Sequence, residues 1–248
     1  MSGFQSLPLD MLTFSLYKEK VSMSESGRRR GEATREVILT AAEIVFAEHG
    51  FDGARVDTIA NVSGYDKKLI FRYFGDKLGL YAEVLKRADR ELNVLLAGML
   101  APWLAGETIA SQAQGFRTFL ETLVQITFDH LVEHPRFLRI LTWEMAEGWQ
   151  TYAQIASQFS TEESDQFETL FHTARNAGLL RSDFYPTIQL ILILHMCQSY
   201  LASLPLYQML LPGENMSSAA VLAHARKHIV ALVVAGMMID PPPSKPEK

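Results

Sequence analysis

Val56-Asp-Thr-Ile-Ala-Asn-Val-Ser-Gly-Tyr-Asp-Lys-Lys-Leu-Ile-Phe-Arg-Tyr-Phe74 is the stretch whose reading decides the fold. Val56, Ile59, Ala60 and Ser63 recur at helical spacing and are closed by Gly64. A second helical pattern opens at Asp66, whose carboxylate suits an N-cap, and runs through Leu69, Ile70, Phe71, Tyr73 and Phe74. Two short helices joined by a tight glycine-containing turn form a helix-turn-helix. Upstream, Ile38, Ala41, Ala42, Val45 and Phe46 lie on one face of a helix spanning Glu32 to Glu48, stopped at His49-Gly50. Downstream, a longer helix starts with Asp76 as N-cap and passes through Leu80, Val84 and Leu85 to about Leu100, ahead of Ala101-Pro102. Ala41, Ala42, Ile59, Ala60, Ile70 and Phe74 are the expected small core.

The remainder reads as helix after helix, over about 108–132, 135–149, 151–157, 162–177, 184–204 and 217–238, with breaks at Pro135, Gly148, Gly178, Pro186, Pro205 and Pro212-Gly213. No alternating run flanked by turn signals calls for a strand, so the fold class is all-α: a three-helix N-terminal helix-turn-helix domain followed by a helical bundle. The expected organisation is a mobile arm at 1–27, a helix-turn-helix domain at 28–80, a helical bundle at 81–239 and a proline-rich tail at 240–248; the family likeness set out below implies DNA binding for the second and effector binding with dimerisation for the third. Met23-Ser-Glu-Ser-Gly has the look of a start, which leaves open whether residues 1–22 belong to the native protein. The first residues carry no basic segment followed by an apolar one, and the cytoplasm is the expected location. Ile188 to Cys197, the most apolar run, is too short to span a bilayer, so no membrane partner is expected.

At 248 residues, with 48% hydrophobic and 21% charged, the chain has the composition of a globular protein, which excludes collagen and disulfide scaffolds. Its net charge of −5 hides an asymmetry. Residues 28–90 hold 12 basic and 10 acidic side chains, whereas residues 91–248 hold 9 and 15. The basic residues cluster as Arg28-Arg29-Arg30 and Lys67-Lys68, with Arg72 and Lys77 close by, and local charge governs phosphate binding. The arginine triplet is either a solvated charge run or a mobile minor-groove reader.

The segments Thr34-Arg-Glu-Val-Ile-Leu-Thr-Ala-Ala-Glu-Ile-Val-Phe-Ala-Glu-His-Gly-Phe51, Val56-Asp-Thr-Ile-Ala-Asn-Val-Ser-Gly64 and Lys67-Lys-Leu-Ile-Phe-Arg-Tyr-Phe-Gly-Asp-Lys77 together resemble the N-terminal domain of TetR-family transcriptional regulators. The likeness covers 32 to about 85. It implies that the second helix of the pair enters the major groove, placing Tyr65, Lys67, Lys68 and Leu69 there. It also puts Phe71 and Tyr73 near the sugar-phosphate, and Lys77 at a helix N-terminus where a phosphate binds. Arg55 stands where a Ser or Thr cap is usual and offers a guanidinium to the DNA backbone. Asp57 stands where a basic residue is common and should repel phosphate. Phe71 lacks a tyrosine's hydroxyl, and Leu69 offers only an apolar contact to bases. A packing turn without DNA affinity is the structural alternative.

The resemblance further implies an all-helical sensor and a twofold dimer, here through 184–204 and 217–238, bound to double-stranded operator DNA. Residues 116–172 are rich in large side chains suited to a largely apolar effector. The candidate pocket residues are Phe116, Phe119, Trp143, Glu144, Trp149, Phe171, His172, His195 and Gln198, although any aromatic among them can equally be core. The expected function is a repressor released from a pseudo-palindromic operator by a small molecule. The alternative is a helical small-molecule-binding or lipid-binding protein with a vestigial helix-turn-helix. No phosphate loop, nucleophile elbow or other catalytic motif is present, so neither an enzyme nor a cofactor is expected. The pairs His130/His134 and His224/His228 have chelating spacing but no third ligand in sequence, and no metal is expected. Cys197, the single cysteine, reads as a buried structural thiol.

Overall fold

A computed structural model of the chain describes residues 27–105, 112–159, 162–181 and 185–239. These residues form eleven α-helices, and their one β-type contact is the isolated bridge Leu180–Met238. Of the expected mobile arm at 1–27, residues 1–26 lie outside the described residues, as does the expected tail 240–248.

Two compact units partition the chain. The first holds α1 (Gly27–Gly53), α2 (Val56–Ser63), α3 (Lys67–Phe74) and the opening of α4 (Lys77–Ala105) through Arg87. Trp143–Ala156 also belongs to it, bringing the end of α6 (Pro135–Ala146) and all of α7 (Gln150–Ile155). The second unit holds the rest of α4 and α6 with α5 (Ala113–Glu133), α8 (Glu162–Asn176), α9 (Pro186–Ala202), α10 (Leu204–Leu210) and α11 (Ala219–Met237).

The first unit is organised by the periodicity of its sequence. Ile38, Ala41, Ala42, Phe46, Ile59, Ile70 and Leu80 are all fully buried, each large one contributing about 1.5–3 kcal/mol of apolar transfer. Ala60, expected in this core, is half-buried. Outside the core, Arg87 pairs with Glu43 and Glu36 and reaches the Thr40 hydroxyl, while Arg35 pairs with Glu83. These contacts tie α4 to the flank of α1. Helix α1 begins at Gly27, so Arg28–Arg30 lie in its first turn rather than at the edge of a mobile arm.

In the second unit, α9 and α11 both pack on α5. Phe116, Phe119, Leu120, Leu123, Val124, Phe128 and Leu131 give α5 its buried face, and the rings of Phe116, Phe119, Phe167 and Phe171 meet at centroid distances of 5.6–6.1 Å, mostly edge-on or tilted. Pro205, read from sequence as a break, instead sits in the first turn of α10, where a missing N–H costs no helical hydrogen bond. Helices α9 and α10 are bent by 49° at that joint.

Candidate nucleic-acid interface

The turn between α2 and α3 is set by local chemistry. Gly64 closes α2 in the left-handed region (φ 71°), where a side chain would be strained, and its N–H reaches the Ala60 carbonyl. Asp66 caps α3: its Oδ1 accepts from the Leu69 N–H at 2.7 Å. Asp76 caps α4 in the same way, accepting from the Gly79 N–H at 2.7 Å. Gly79 is there for space: a Cβ would stand 2.1 Å from the Phe74 carbonyl oxygen. Helices α3 and α4 can meet this closely only at glycine.

With Ile70 and Phe74 committed to the core, α3 turns Lys67, Lys68, Phe71 and Arg72 to solvent. Tyr65, Leu69 and Tyr73 are half-buried at its margins. Lys68 has no ion-pair partner among the described residues. Lys67 is already engaged, 3.2 Å from Asp57 Oδ2 and over the Phe71 ring. Sequence reading had Asp57 repelling phosphate; in the fold its charge also partly neutralises Lys67. Arg55 occupies the N-cap of α2, exposed and without a side-chain cap bond.

Lys77 is more enclosed than its neighbours. Its ammonium donates to the Asp52 carbonyl oxygen at 3.3 Å and lies 4.6 Å from the Phe51 ring centroid. Burial lowers its pKa, opposed by the charges of Asp52 and Glu147.

The segment 143–156 is the part of this unit that sequence reading placed elsewhere. Trp143, Glu144 and Trp149 are expected effector-pocket residues, but they belong to the unit that carries the helix-turn-helix. Trp143 Nε1 donates to the Ala47 carbonyl oxygen at 3.2 Å. Glu144, only 1% exposed, accepts from the Tyr81 hydroxyl at 2.6 Å and from the Tyr152 N–H at 3.0 Å. Burial, then the bond to Glu144, pushes the Tyr81 phenol well above its ordinary range, so it is a fixed donor. The Glu144 carboxylate is occupied by its own unit rather than open to a ligand. No local signal marks this, since Tyr81 and Glu144 are 63 positions apart.

The other pocket candidates lie in the second unit. Phe116, Phe119 and Phe171 come together in its core, His172 is exposed and His195 is half-buried. Gln198 is fully buried, and neither carboxamide atom has a hydrogen-bond partner among the described residues. Cys197 is buried beside it, its thiol pushed up to about 12 chiefly by desolvation. No group of three or more His, Cys, Asp or Glu among the described residues could hold a metal ion.

A helix-turn-helix with an exposed basic face, followed by a separate helical unit, defines a DNA-binding regulator with a C-terminal helical domain. Two family models match it: residues 38–84 fit "Bacterial regulatory proteins, tetR family" and residues 117–233 fit "Tetracyclin repressor-like, C-terminal domain". The chain belongs to the TetR family of transcriptional regulators. Over 174 residues it is 28% identical to the transcriptional repressor NicS of Pseudomonas putida, covering 69% of this chain and 77% of NicS. Over 119 residues it is 32% identical to the repressor SCO4008 of Streptomyces coelicolor, covering 48% of this chain and about half, 53%, of that relative. Among solved structures, the putative transcriptional regulator SCO4942 from Streptomyces coelicolor superposes with a TM-score of 0.54 at 26% identity, covering 82% of this chain and 98% of that one. A putative TetR-family regulator from Shewanella gives 0.60 at 15% identity, over 84% and 99% of the two chains, a likeness of fold.

Proposed function

We propose that this regulator is a cytoplasmic, homodimeric repressor that leaves a pseudo-palindromic operator when a small, largely apolar molecule binds its second unit. The observation that carries the reading is the outward face of α3, where Lys67, Lys68, Phe71 and Arg72 stand free of the core beside Arg55. Tyr65, Lys67, Lys68 and Leu69 enter the groove there, and Arg55, Phe71, Tyr73 and Lys77 meet the backbone. Repression is favoured by the likeness to the repressors NicS and SCO4008.

Dimerisation uses α9 and α11. Ile188, Ile191 and Leu192 on α9 and Leu232 on α11 are 44–50% exposed. Such a surface is costly on a lone protomer. Two copies related by a twofold axis present their α3 helices to successive major grooves, about 34–36 Å apart. The effector binds among the α5 and α8 aromatics, Phe116, Phe119 and Phe171, and Gln198 supplies polar recognition. The unpartnered Gln198 carboxamide supports that choice. Effector and operator then compete because each favours a different separation of the two α3 helices. The likeness to transcriptional regulators supports a regulatory rather than an enzymatic role.

Fluorescence anisotropy on labelled DNA from immediately upstream of its own gene, beside a scrambled duplex and at two salt concentrations, tests the reading. Saturable binding that prefers the native duplex and falls steeply with salt is expected. Equal, weak binding to both duplexes in low salt counts against a DNA reader at this locus.

A further inference from the structure

Gln198 breaks the rule that governs the rest of the second unit's interior. Its side chain is 0% exposed, yet neither carboxamide atom has a hydrogen-bond partner among the described residues. Folded proteins pair nearly all their buried polar atoms, because an unpaired one has given up its bonds to water for nothing. Burial this complete within one protomer also puts the group out of a partner chain's reach. Packing alone does not explain a polar side chain held here at such a cost.

The surroundings of Gln198 carry no usable charge. Among the described residues, the buried polar side chains of this unit are Thr127, His130, Gln189 and Gln198, and no Asp, Glu, Lys or Arg joins them. The Thr127 hydroxyl is spent on the Leu123 carbonyl oxygen at 2.8 Å, and burial of His130 favours its neutral form. Tyr200, two residues past Gln198, meets Phe128 at 6.2 Å between ring centroids, which sets Gln198 beside the C-terminal half of α5. The charges on that half are matched: Asp129 pairs with Arg226, and Glu91 meets His134 at 3.0 Å. The half-buried Arg175 stands at the other end. Phe167 packs on Phe119 and Phe171 on Phe116, so α8 runs against α5 and carries Arg175 past the start of α5.

From these features we infer that the small-molecule site of the second unit takes a neutral compound with an amide end and an apolar body, the amide pairing edge to edge with Gln198. A carboxamide presents an N–H donor and a carbonyl acceptor side by side, and a second amide offers the same two groups in reverse order, so two hydrogen bonds close together. An ester or a tertiary amide satisfies only the donor. A carboxylate would face the Gln198 carbonyl oxygen and bury its charge without a cation, and an ammonium would bury its own without an anion. The apolar body runs toward Phe119, nine residues before Phe128 and therefore roughly 13 Å back along α5, where the aromatic cluster begins. The inference rests on the effector reading above and names the chemistry of that site.

Octanamide, octanoate and N,N-dimethyloctanamide share one acyl chain and differ only at the head: a matched donor and acceptor, a charged acceptor, and a neutral acceptor without an N–H. Titrated calorimetrically into the full chain near neutral pH, octanamide should bind at least about tenfold more tightly than either of the others. In Gln198→Met its affinity should fall to that of the dimethyl amide. Failure of octanamide to bind, equal binding of octanoate or the dimethyl amide, or a preference that survives in Gln198→Met overturns the inference. Urea unfolding without ligand reads the side chain itself. Gln198→Met should be at least as stable as wild type, because an unpaired polar group gives way to an apolar chain of the same length. A variant several-fold less stable in its unfolding equilibrium would show that the carboxamide is structural, and also overturns the inference. Operator anisotropy with octanamide then separates the two readings: release of DNA supports both, whereas the expected binding without release leaves the amide site standing and defeats its role as the effector site.

Discussion

Replacing Tyr81 by Phe isolates one contact in the first unit. The Tyr81 ring is 1% exposed and lies edge-on to Phe46 at 4.8 Å and to Phe51 at 5.1 Å, contacts that phenylalanine keeps. Only the hydroxyl is lost, and with it the 2.6 Å bond to Glu144 Oε1. The Glu144 carboxylate stays buried, and of its two bonds only the one from the Tyr152 N–H remains. A hydrogen bond to a charged group contributes about 1.5–3 kcal/mol, and a stranded buried acceptor adds its own desolvation cost. The expected loss is therefore roughly 2–3 kcal/mol, a shift of roughly 30- to 150-fold in the unfolding equilibrium. Urea unfolding followed by tryptophan fluorescence reports on this unit through Trp143, which is bonded to Ala47. A double-mutant cycle with Glu144→Leu, which removes the acceptor, separates the pair's coupling from effects of each side chain alone. A Tyr81→Phe protein within about 0.5 kcal/mol of wild type, or a coupling energy below that size, would refute the argument that this bond fixes 143–156 to the DNA-binding unit.

Gly79→Ala puts a methyl group 2.1 Å from the Phe74 carbonyl oxygen, so a thermal melt should show a loss of about 1–3 kcal/mol, as overpacking of a fixed backbone contact does. Asp57→Asn removes the partner of Lys67 and one charge facing phosphate. DNA affinity should rise several-fold in low-salt anisotropy titrations, and an unchanged affinity would mean that α2 does not face the backbone. Lys77→Ala should weaken binding to all duplexes alike, whereas Lys68→Ala should change the ranking of operator variants; identical profiles for the two would erase that distinction. His130 is 2% exposed, and burial, aided by the neighbouring His134 and opposed by Glu91 and Glu133, lowers its pKa from the ordinary 6.5. The unfolded chain therefore takes up this proton first as the pH falls. Stability should decline as the pH drops through 6.5 toward the folded-state value and level off below it. In His130→Leu that part of the pH dependence should vanish from urea midpoints measured across the range.

The sequence alone determined the features that depend on neighbours within a few turns of helix. The all-α class, the helix-turn-helix, Asp66 and Asp76 as N-caps, and Gly64 as terminator were all readable, because capping and helical spacing are local interactions. So was the core of Ala41, Ala42, Ile59, Ile70 and Phe74, since periodicity says which side of each helix is apolar. Periodicity does not say what that side packs against. Only the tertiary structure decided that Trp143, Glu144 and Trp149 join the DNA-binding unit and that Asp57 shares its charge with Lys67. It also decided that Pro205 starts a helix and that the apolar face of α10 points outward. A buried carboxylate needs donors wherever the fold can bring them, and for Glu144 one comes from Tyr81, 63 residues away. That partnership is a property of packing, which no window on the sequence contains.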